Sequence, residues 1–550
     1  MKPSSLLTSL LAALWLPSIA AAQWTSDVEA NTLAAGSAMD IVKALSTSNG
    51  STNIIYWTSV GPPANIELRV QQLDADGMPA YGPDGMLVSP DVDMSTSTAI
   101  ATAVMDAEDN LYIGVTATGD EEGHVFKLDP DGNHLWPEGG VTFPGGYSIS
   151  ILPMSAGGAV VSWLNIPNAL MQRYDAAGNP VWADPQPVES GASKTAPGHL
   201  FELSNGDVEH LFHTYNFGIS STLWAQRYSG ATGAAVWSDP VQLSDKTTVW
   251  NTRYSTGQIG DAVYIGYKAA TGLRFDSFLQ RIDPDGAIPW GINGSDFDVN
   301  ETDYEMDTRI AVGDGVVWSL CNYKDPSQTQ NGERIQRFDA ESGVRQLTDN
   351  AKEVYAIGTD NIHASDLHLM DGHPFYLMES GFDNGVSNTT LHLVALDGEG
   401  NFLWPEETQP MGLYQASKSR THLTAPVGGQ TVAAWLEDKS AGPAVYAQPY
   451  QFATNPAGMI ALAEVEGLTV FPNPAAQVLH WRWPAGQQAG IRMTVLDAMG
   501  RVVDAPWSEV SGETEGGTLE VATWSEGLYQ VQCVFPDGSG VTRVPFMVVH

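Results

Sequence analysis

Cysteine is almost missing from this chain: Cys321 and Cys533 are the only two among 550 residues. They fall in different predicted domains, so no bridge between them is expected, and a disulfide framework is excluded. Stability has to come from packing. Basic residues are scarce as well, 25 Lys and Arg against 64 Asp and Glu, giving a net charge of −39. A phosphate-backbone ligand draws its affinity from clustered Lys and Arg, so nucleic acid is excluded as a partner. The acidic residues are spread along the chain and read as a solvated surface. Apolar runs long enough to cross a bilayer are missing too, which leaves no transmembrane segment. The apolar stretch Leu6 to Leu16 is too short to span; with Met1-Lys2 before it and Ala20-Ala21-Ala22 after it, residues 1–22 read as a Sec-type signal peptide.

What the chain has is a motif that returns about every 55 residues, an apolar strand ending in Asp, a Gly turn, then Trp. It appears as Gln72-Leu73-Asp74 with Gly77, Lys127-Leu128-Asp129 with Gly132 and Trp136, and Gln172-Arg173-Tyr174-Asp175 with Gly178 and Trp182. Further copies are Gln226-Arg227-Tyr228-Ser229 with Gly233 and Trp237, Gln280-Arg281-Ile282-Asp283 with Gly286 and Trp290, Gln336-Arg337-Phe338-Asp339 with Gly343, and Ala395-Leu396-Asp397 with Gly400 and Trp404. An eighth, Ala447-Gln448-Pro449-Tyr450, stops before its Gly and Trp.

Ahead of each motif lies a second strand rich in β-branched and aromatic residues, from Asn53–Trp57 through Leu111–Val115, Ala159–Trp163, Val208–His213, Ala262–Tyr267, Val316–Leu320 and Pro374–Met378 to Thr431–Trp435. With one more apolar segment before the turn, each unit is a four-stranded meander. Such units repeated predict an all-β protein with an eight-bladed β-propeller over residues 23–452. The last unit lacks its outer strand, and Gln23-Trp24-Thr25-Ser26-Asp27 with Val28 to Leu33 reads like the outer strands around Trp182 and Trp237. Pairing the two ends closes the ring and hides two sheet edges.

The copy Ser229-Gly230-Ala231-Thr232-Gly233-Ala234-Ala235-Val236-Trp237 resembles the tryptophan-docking repeat of pyrroloquinoline-quinone-type propellers. That resemblance implies a fold in which Trp packs on the neighbouring blade, and it says little about function. The family's quinone dehydrogenases use adjacent cysteines, which this chain lacks, so no cofactor is expected. Asp74/Asp76, Asp129/Asp131 and Asp283/Asp285 offer too few ligands for calcium and read as hairpin turns. Glu209-His210 with His213 puts the two histidines on opposite faces of a strand, so no metal is expected there. No Gly-x-Ser-x-Gly elbow, phosphate loop or zinc pattern appears, and no catalytic residue is assigned. Counting back from the second strands places His199, Arg253 and His422 at the starts of inner strands, near one mouth of a central channel, as a candidate polar ligand site.

After Phe452 the repeats stop, and residues 453–467 form a linker to a second domain over 468–550. Strands alternate there at Val478–Trp483, Ile491–Leu496, Arg501–Asp504, Thr518–Val521, Gly527–Val534 and Val541–Val549, which predicts a small immunoglobulin-like β-sandwich. Phe471-Pro472-Asn473-Pro474, Val495-Leu496-Asp497-Ala498-Met499-Gly500-Arg501, Gly527-Leu528-Tyr529 and the final Val548-Val549-His550 resemble the type A C-terminal sorting domain of the type IX secretion system of Bacteroidetes. Membership implies Sec export to the periplasm, recognition by the type IX translocon, removal of the domain by its sorting protease, and a secreted or outer-membrane surface product. For the propeller the expectation is a non-enzymatic module binding an unidentified glycan or protein, with a secreted polysaccharide hydrolase or lyase as the alternative.

Overall fold

The computed structural model describes residues 24–60, 65–90, 92, 94–95, 101–117, 122–191, 194–216, 220–248, 254–381, 388–439, 442–452, 469–471, 475–482, 492–497, 502–503, 516–524, 527–534 and 541–548. The expected signal peptide 1–22 and linker 453–467, and Arg253, Pro472, Asn473, Pro474, Gly500 and Arg501, lie outside them. Two compact units are present, Met1–Thr454 and Asn455–His550. Every element of the described residues is a strand, and no helix there is long and apolar enough to cross a membrane.

In the first unit, antiparallel sheets follow one another along the chain. Sheet I comprises Asp40–Ser46, Thr52–Ser59, Asn65–Leu73 and Met86–Leu87, with Met94–Ser95 also paired to its third strand. Sheet II comprises Ala101–Met105, Leu111–Thr116, Glu122–Leu128 and Val141–Pro144; sheet III comprises Tyr147–Pro153, Ala159–Asn165, Asn168–Tyr174 and Gln186–Pro187. Sheet IV holds Lys194–Glu202, Val208–Asn216, Ser220–Tyr228 and Val241–Gln242, and sheet V holds Ser255–Ile259, Ala262–Thr271, Arg274–Ile282 and Ser295–Asp296. Sheet VI is Tyr304–Gly313, Val316–Lys324, Asn331–Asp339 and Lys352–Gly358. Sheet VII has seven strands, running in space from His363–Met370 through His373–Ser380, Thr389–Ala395, Thr408–Leu423, Gln430–Lys439 and Gly442–Gln451 to Thr32–Ala35.

Each expected second strand lies inside an observed one. These strands are buried almost throughout, Leu111–Thr116 at every residue, because a neighbouring sheet covers each face. Ile55, Leu68 and Val70 of sheet I pack on Ala103, Ile113 and Phe126 of sheet II, and Val160 and Met171 of sheet III pack on Leu200 and Phe212 of sheet IV. Ile41, Ile54 and Tyr56 of sheet I meet Val432, Ala434 and Val445 of sheet VII, so first and last sheets touch. The result is a β-propeller-like succession. Burying each such Val, Leu, Ile or Phe contributes about 1.5–3 kcal/mol, which replaces what disulfides would give.

The repeated motif explains how sheets are joined. The Asp carboxylate closes its own turn: Asp129 Oδ1 accepts from Asp131 N at 3.0 Å and Asn133 N at 2.7 Å. The Gln side chain ties the turn to its sheet, Gln172 Nε2 donating to Trp182 O at 3.2 Å. The next residue, Arg, reaches into the following sheet, Arg173 to Gly230 O at 2.7 Å, Arg227 to Pro284 O at 2.8 Å and Arg337 to Gly398 O at 2.7 Å. Trp does the same: Trp136 Nε1 donates to Ala176 O at 3.1 Å, Trp182 to Gly230 O at 3.1 Å, and Trp237 to Pro284 O at 3.2 Å. The motif Gly of the following sheet lies flat on that ring, and a Cβ on Gly233 would come within 2.8 Å of Trp182.

Two details depart from expectation. The Trp residues do not sit in outer strands; Trp182, Trp237 and Trp290 occupy the turns just before the two-residue strands Gln186–Pro187, Val241–Gln242 and Ser295–Asp296, where an indole can point sideways into the next sheet. The N-terminal closing strand begins at Thr32 rather than Val28, because the preceding residues are spent on docking: Trp24 N donates to Asp76 O at 2.8 Å, and Val28 O accepts from Leu413 N at 2.8 Å.

The second unit contains two antiparallel sheets. One orders Thr469–Phe471, Val478–Arg482 and Gly516–Glu520; the other orders Val502–Val503, Arg492–Asp497, Gly527–Val534 and Val541–Val548. Ala475, Leu479, Val495, Leu519, Val521, Val531 and Val548 are buried there.

Candidate functional site

The first strand of each sheet is the least buried of its inner three strands. Tyr147–Pro153 alternates partly buried and buried residues, and Ser255–Ile259 is partly buried throughout, whereas the second strands are closed off. These innermost strands contact one another around the unit. Most carry a β-bulge at the same place, with register shifts at Ile41/Lys43, Tyr147/Ser150, Pro197/Leu200, Met306/Arg309, Ser365/Leu367 and Ser419/His422. A bulge inserts one residue and re-aims its side chain. Ser148, Asp307, Asp366 and Arg420, the bulge residues, have φ of 50°, 51°, 38° and 54°. Non-glycine residues held in that region mark places worth chemical inspection.

At the bulges of sheets VII and I, charged groups from three innermost strands meet. Asp366 Oδ2 accepts from Leu423 N at 2.9 Å and lies 3.6 Å from His422 Nδ1, and Asp366 Oδ1 lies 4.0 Å from Lys43 Nζ. His422 Nε2–H donates to Ile41 O at 3.3 Å, and His368 Nε2–H to Leu423 O at 2.8 Å. Arg420 Nε pairs with Asp40 Oδ1 at 3.2 Å. A second group surrounds Asp307, with Lys268 Nζ and His363 Nε2 each 3.6 Å away. Burial alone would raise the Asp366 carboxyl, but His422 and the Lys43 charge outweigh it and hold it far below the ordinary carboxylate range. For Asp307 the His363 bond is the leading cause and acts the same way, with burial opposing it and Lys268 adding to it. Both stay ionised at neutral pH. The side chains of Lys43, Asp40 and Arg420 remain 40%, 40% and 61% exposed, so water reaches this group.

Beneath these lie carboxyls that are sealed between sheets. Glu305, 1% exposed, accepts from Ser277 N at 2.8 Å and is pushed up to about 10, by burial first and then by the Asp298 charge. Asp298 accepts in turn from the Tyr323 hydroxyl. Glu333, fully buried, accepts from Tyr376 Oη at 2.6 Å and is raised to about 7 by burial. Glu379 accepts from the Thr421 hydroxyl. Glu305 and Glu333, whose carboxyls are raised, are therefore out of reach, and Asp366 and Asp307 at the bulges are ionised; Asp296, exposed on the last strand of sheet V, is raised to about 6 by burial first.

His199 and His422 lie at bulges inside their strands rather than at strand starts, since those strands begin well before them, at Lys194 and Thr408. His422 belongs to the group around Asp366; His199 hydrogen-bonds the backbone of Tyr254 and is kept neutral, lowered to about 4 by burial. His210 and His213 point to opposite faces, His210 beside Phe212 with ring centroids 6.0 Å apart and His213 stacked on Tyr254 at 5.0 Å. No group of three metal-ligating side chains occurs among the described residues. Sequence reasoning missed Lys43, Asp307 and Asp366, whose neighbours in sequence carry no signal.

In the second unit Phe471 pairs with His480, and two of the separate motifs are brought side by side: Asp497 is the pairing partner of Tyr529. Gly527, Leu528 and Tyr529 open the strand that pairs with Val548, Met547 and Phe546, and Tyr529 packs on Trp524 at 5.0 Å.

Residues 469–544 match the secretion system C-terminal sorting domain family. A tail of this kind directs the chain through the type IX secretion system across the outer membrane, to the cell surface or the medium. No curated protein matches the chain. Among solved structures, the β-propeller domain of the trilobed protease from Pyrococcus furiosus is 7% identical at a TM-score of 0.36, covering 76% of this chain and 98% of that one. A polysaccharide lyase of family PL25, an ulvan lyase, is 11% identical at 0.39 over 76% and 94%. An α-L-arabinofuranosidase from Fusarium graminearum is 9% identical at 0.31 over 56% and 92%.

Proposed function

We propose that residues 23–452 form an eight-bladed propeller whose axial mouth binds a glycan or a protein without turning it over, and that the sorting tail delivers this module to the cell surface or the medium. Counting sheet VII as two blades supports the number: Thr408–Leu423 pairs with Thr389–Ala395 through its first half and with Gln430–Lys439 through its second. The Trp, Arg and Gly contacts between sheets support a relationship to the tryptophan-docking propellers. Signal peptide 1–22, linker 453–467 and an immunoglobulin-like tail over 468–550, with a Sec step first, complete the reading.

The observation that carries it is the meeting of Lys43, Asp366 and His422 from three neighbouring innermost strands, at a place water reaches. His199 joins them on the rim, and Arg253 lies outside the described residues. Ionised carboxylates paired with cations can hold a ligand by hydrogen bonds, whereas general acid catalysis needs a reachable carboxyl that keeps its proton. The test is a screen of the mature chain against glycans and surface proteins with product analysis on each ligand found. Binding without products, weakened by Asp366→Asn, is expected; turnover abolished by one carboxylate substitution with binding retained overturns the reading.

A further inference from the structure

We infer that the axial mouth is built for a neutral, hydroxyl-rich glycan rather than an acidic one. This rests on the binding reading above and names its ligand class. Each lysine and arginine of the group around Asp366 already has a carboxylate: Arg420 has Asp40 at 3.2 Å, and Lys43 has Asp366 at 4.0 Å. An anionic sugar entering here meets the carboxylates of Asp366 and Asp40 and no unpaired lysine or arginine among the described side chains of this group. It also approaches a molecule whose net charge is −39, a field that slows and weakens the binding of anions.

Alternating donors and acceptors suit hydroxyls instead, because a sugar hydroxyl donates to a carboxylate and accepts from a neighbouring ammonium or guanidinium. The spacing allows it. Lys43 and Asp366 at 4.0 Å are too far apart for a full hydrogen bond and are held by charge alone, so each retains hydrogen-bonding capacity that a bridging hydroxyl fills. Arg420, with only its Nε engaged by Asp40 and 61% of its side chain exposed, keeps its outer N–H groups for a second hydroxyl. The frame is fixed from behind: Asp366 is held by Leu423 N at 2.9 Å, and the Nε2–H groups of His422 and His368 are tied to the backbone carbonyls of Ile41 and Leu423. A preorganised set of this kind loses little entropy on binding.

The test uses the mature full-length chain against matched neutral and anionic oligosaccharides, glucan, mannan and xylan against polyuronate and sulfated chains, at low and high salt. Neutral oligosaccharides are expected to bind with less than about a twofold change between salt concentrations, since the contacts are hydrogen bonds to neutral hydroxyls. Asp366→Asn and Arg420→Ala should each weaken that binding about tenfold, the loss of one hydrogen bond to a charged group. Arg420 is exposed enough for its removal to leave the fold intact, which separates lost binding from lost structure. A preference for anionic chains that falls steeply with salt overturns the ligand class while leaving the binding module standing. Binding of a surface protein and of no glycan does the same. Neutral-glycan binding untouched by both variants overturns the axial site itself.

Discussion

The indole of Trp24 lies flat on Gly77, and its Nε1 donates to the carbonyl of Ala75 at 2.8 Å. The first described residue is thus docked on the first repeat's turn, in the manner of Trp136 on Gly178 and Trp182 on Gly233. Next to it, Gln448 Nε2 donates to Thr25 O at 2.9 Å, so the same short segment holds the last strands as well.

Replacing Trp24 by Ala should lower stability by about 2–3 kcal/mol, the low end for a lost Trp because this ring is only half-buried. Trp24→Phe keeps the flat contact and forfeits the hydrogen bond, at about 1 kcal/mol. Equilibrium denaturation of the two variants measures both; equal losses would show that the ring contact contributes nothing.

Gly233 and Gly206 make a matched pair, with φ of +75° and +81°. Alanine at either must adopt the left-handed region, at about 1–2 kcal/mol. Around Gly206 nothing lies within 4 Å, while a Cβ on Gly233 would come within 2.6 Å of Gln186 and 2.8 Å of the Trp182 ring. Gly233→Ala should therefore cost about 1–3 kcal/mol more than Gly206→Ala, read from thermal or chemical unfolding.

Glu305 sets an alkaline limit. Its carboxyl is raised from 4.5 to about 10, so its contribution to stability is complete below 4.5 and is lost as pH rises through about 10. Glu305→Gln should flatten the decline between neutral and alkaline pH in denaturation curves. An unchanged slope would show that Glu305 ionises freely in the fold.

His210 acts at the other end. Burial lowers it from 6.5 to about 3, with smaller contributions from His199 and His213, so its contribution is present above 6.5 and is lost as pH falls toward 3. Asp366, held low, adds to the same acid decline. His210→Phe, placed beside Phe212, should flatten the acid arm of the stability curve without moving the alkaline one.

Export separates from folding. A chain ending at Thr454 should fold, because the first unit's core is its own, and should stay in the periplasm, because the sorting tail is gone. Fractionation with protease protection reads both; the truncated chain at the surface in normal amounts would end the assignment.

The repeats were legible because their chemistry recurs: Gln, Arg, Asp, Gly and Trp each make the same contact in successive sheets, and selection of one residue type for one contact leaves a period. The first copy lacks Trp, and Tyr81 and Met86 meet Gly132 in its place, a substitution by bulk that no motif announces. The axial group was hidden for the opposite reason. Ser148, Asp307, Asp366 and Arg420 share a backbone conformation but no chemistry, and one inserted residue turns the alternation that assigns faces from sequence. Lys43 and Asp366 meet across most of the chain, where local pattern carries no information. In the tail, the pairing of Asp497 with Tyr529 shows why two separate motifs were legible together: they are neighbours in one sheet.

The strand Thr32–Ala35 cannot find its partner until the chain has been made through Val445 to Ala447, and Asn31 reaches Gln448 from 417 residues away. Synthesis that stops early leaves an open edge and the apolar faces of Ile41, Ile54 and Tyr56 uncovered, a surface for proteases and for aggregation. Closure therefore works as a check on completeness of the first unit: its earliest-made strand is paired only once the chain has been made through Ala447.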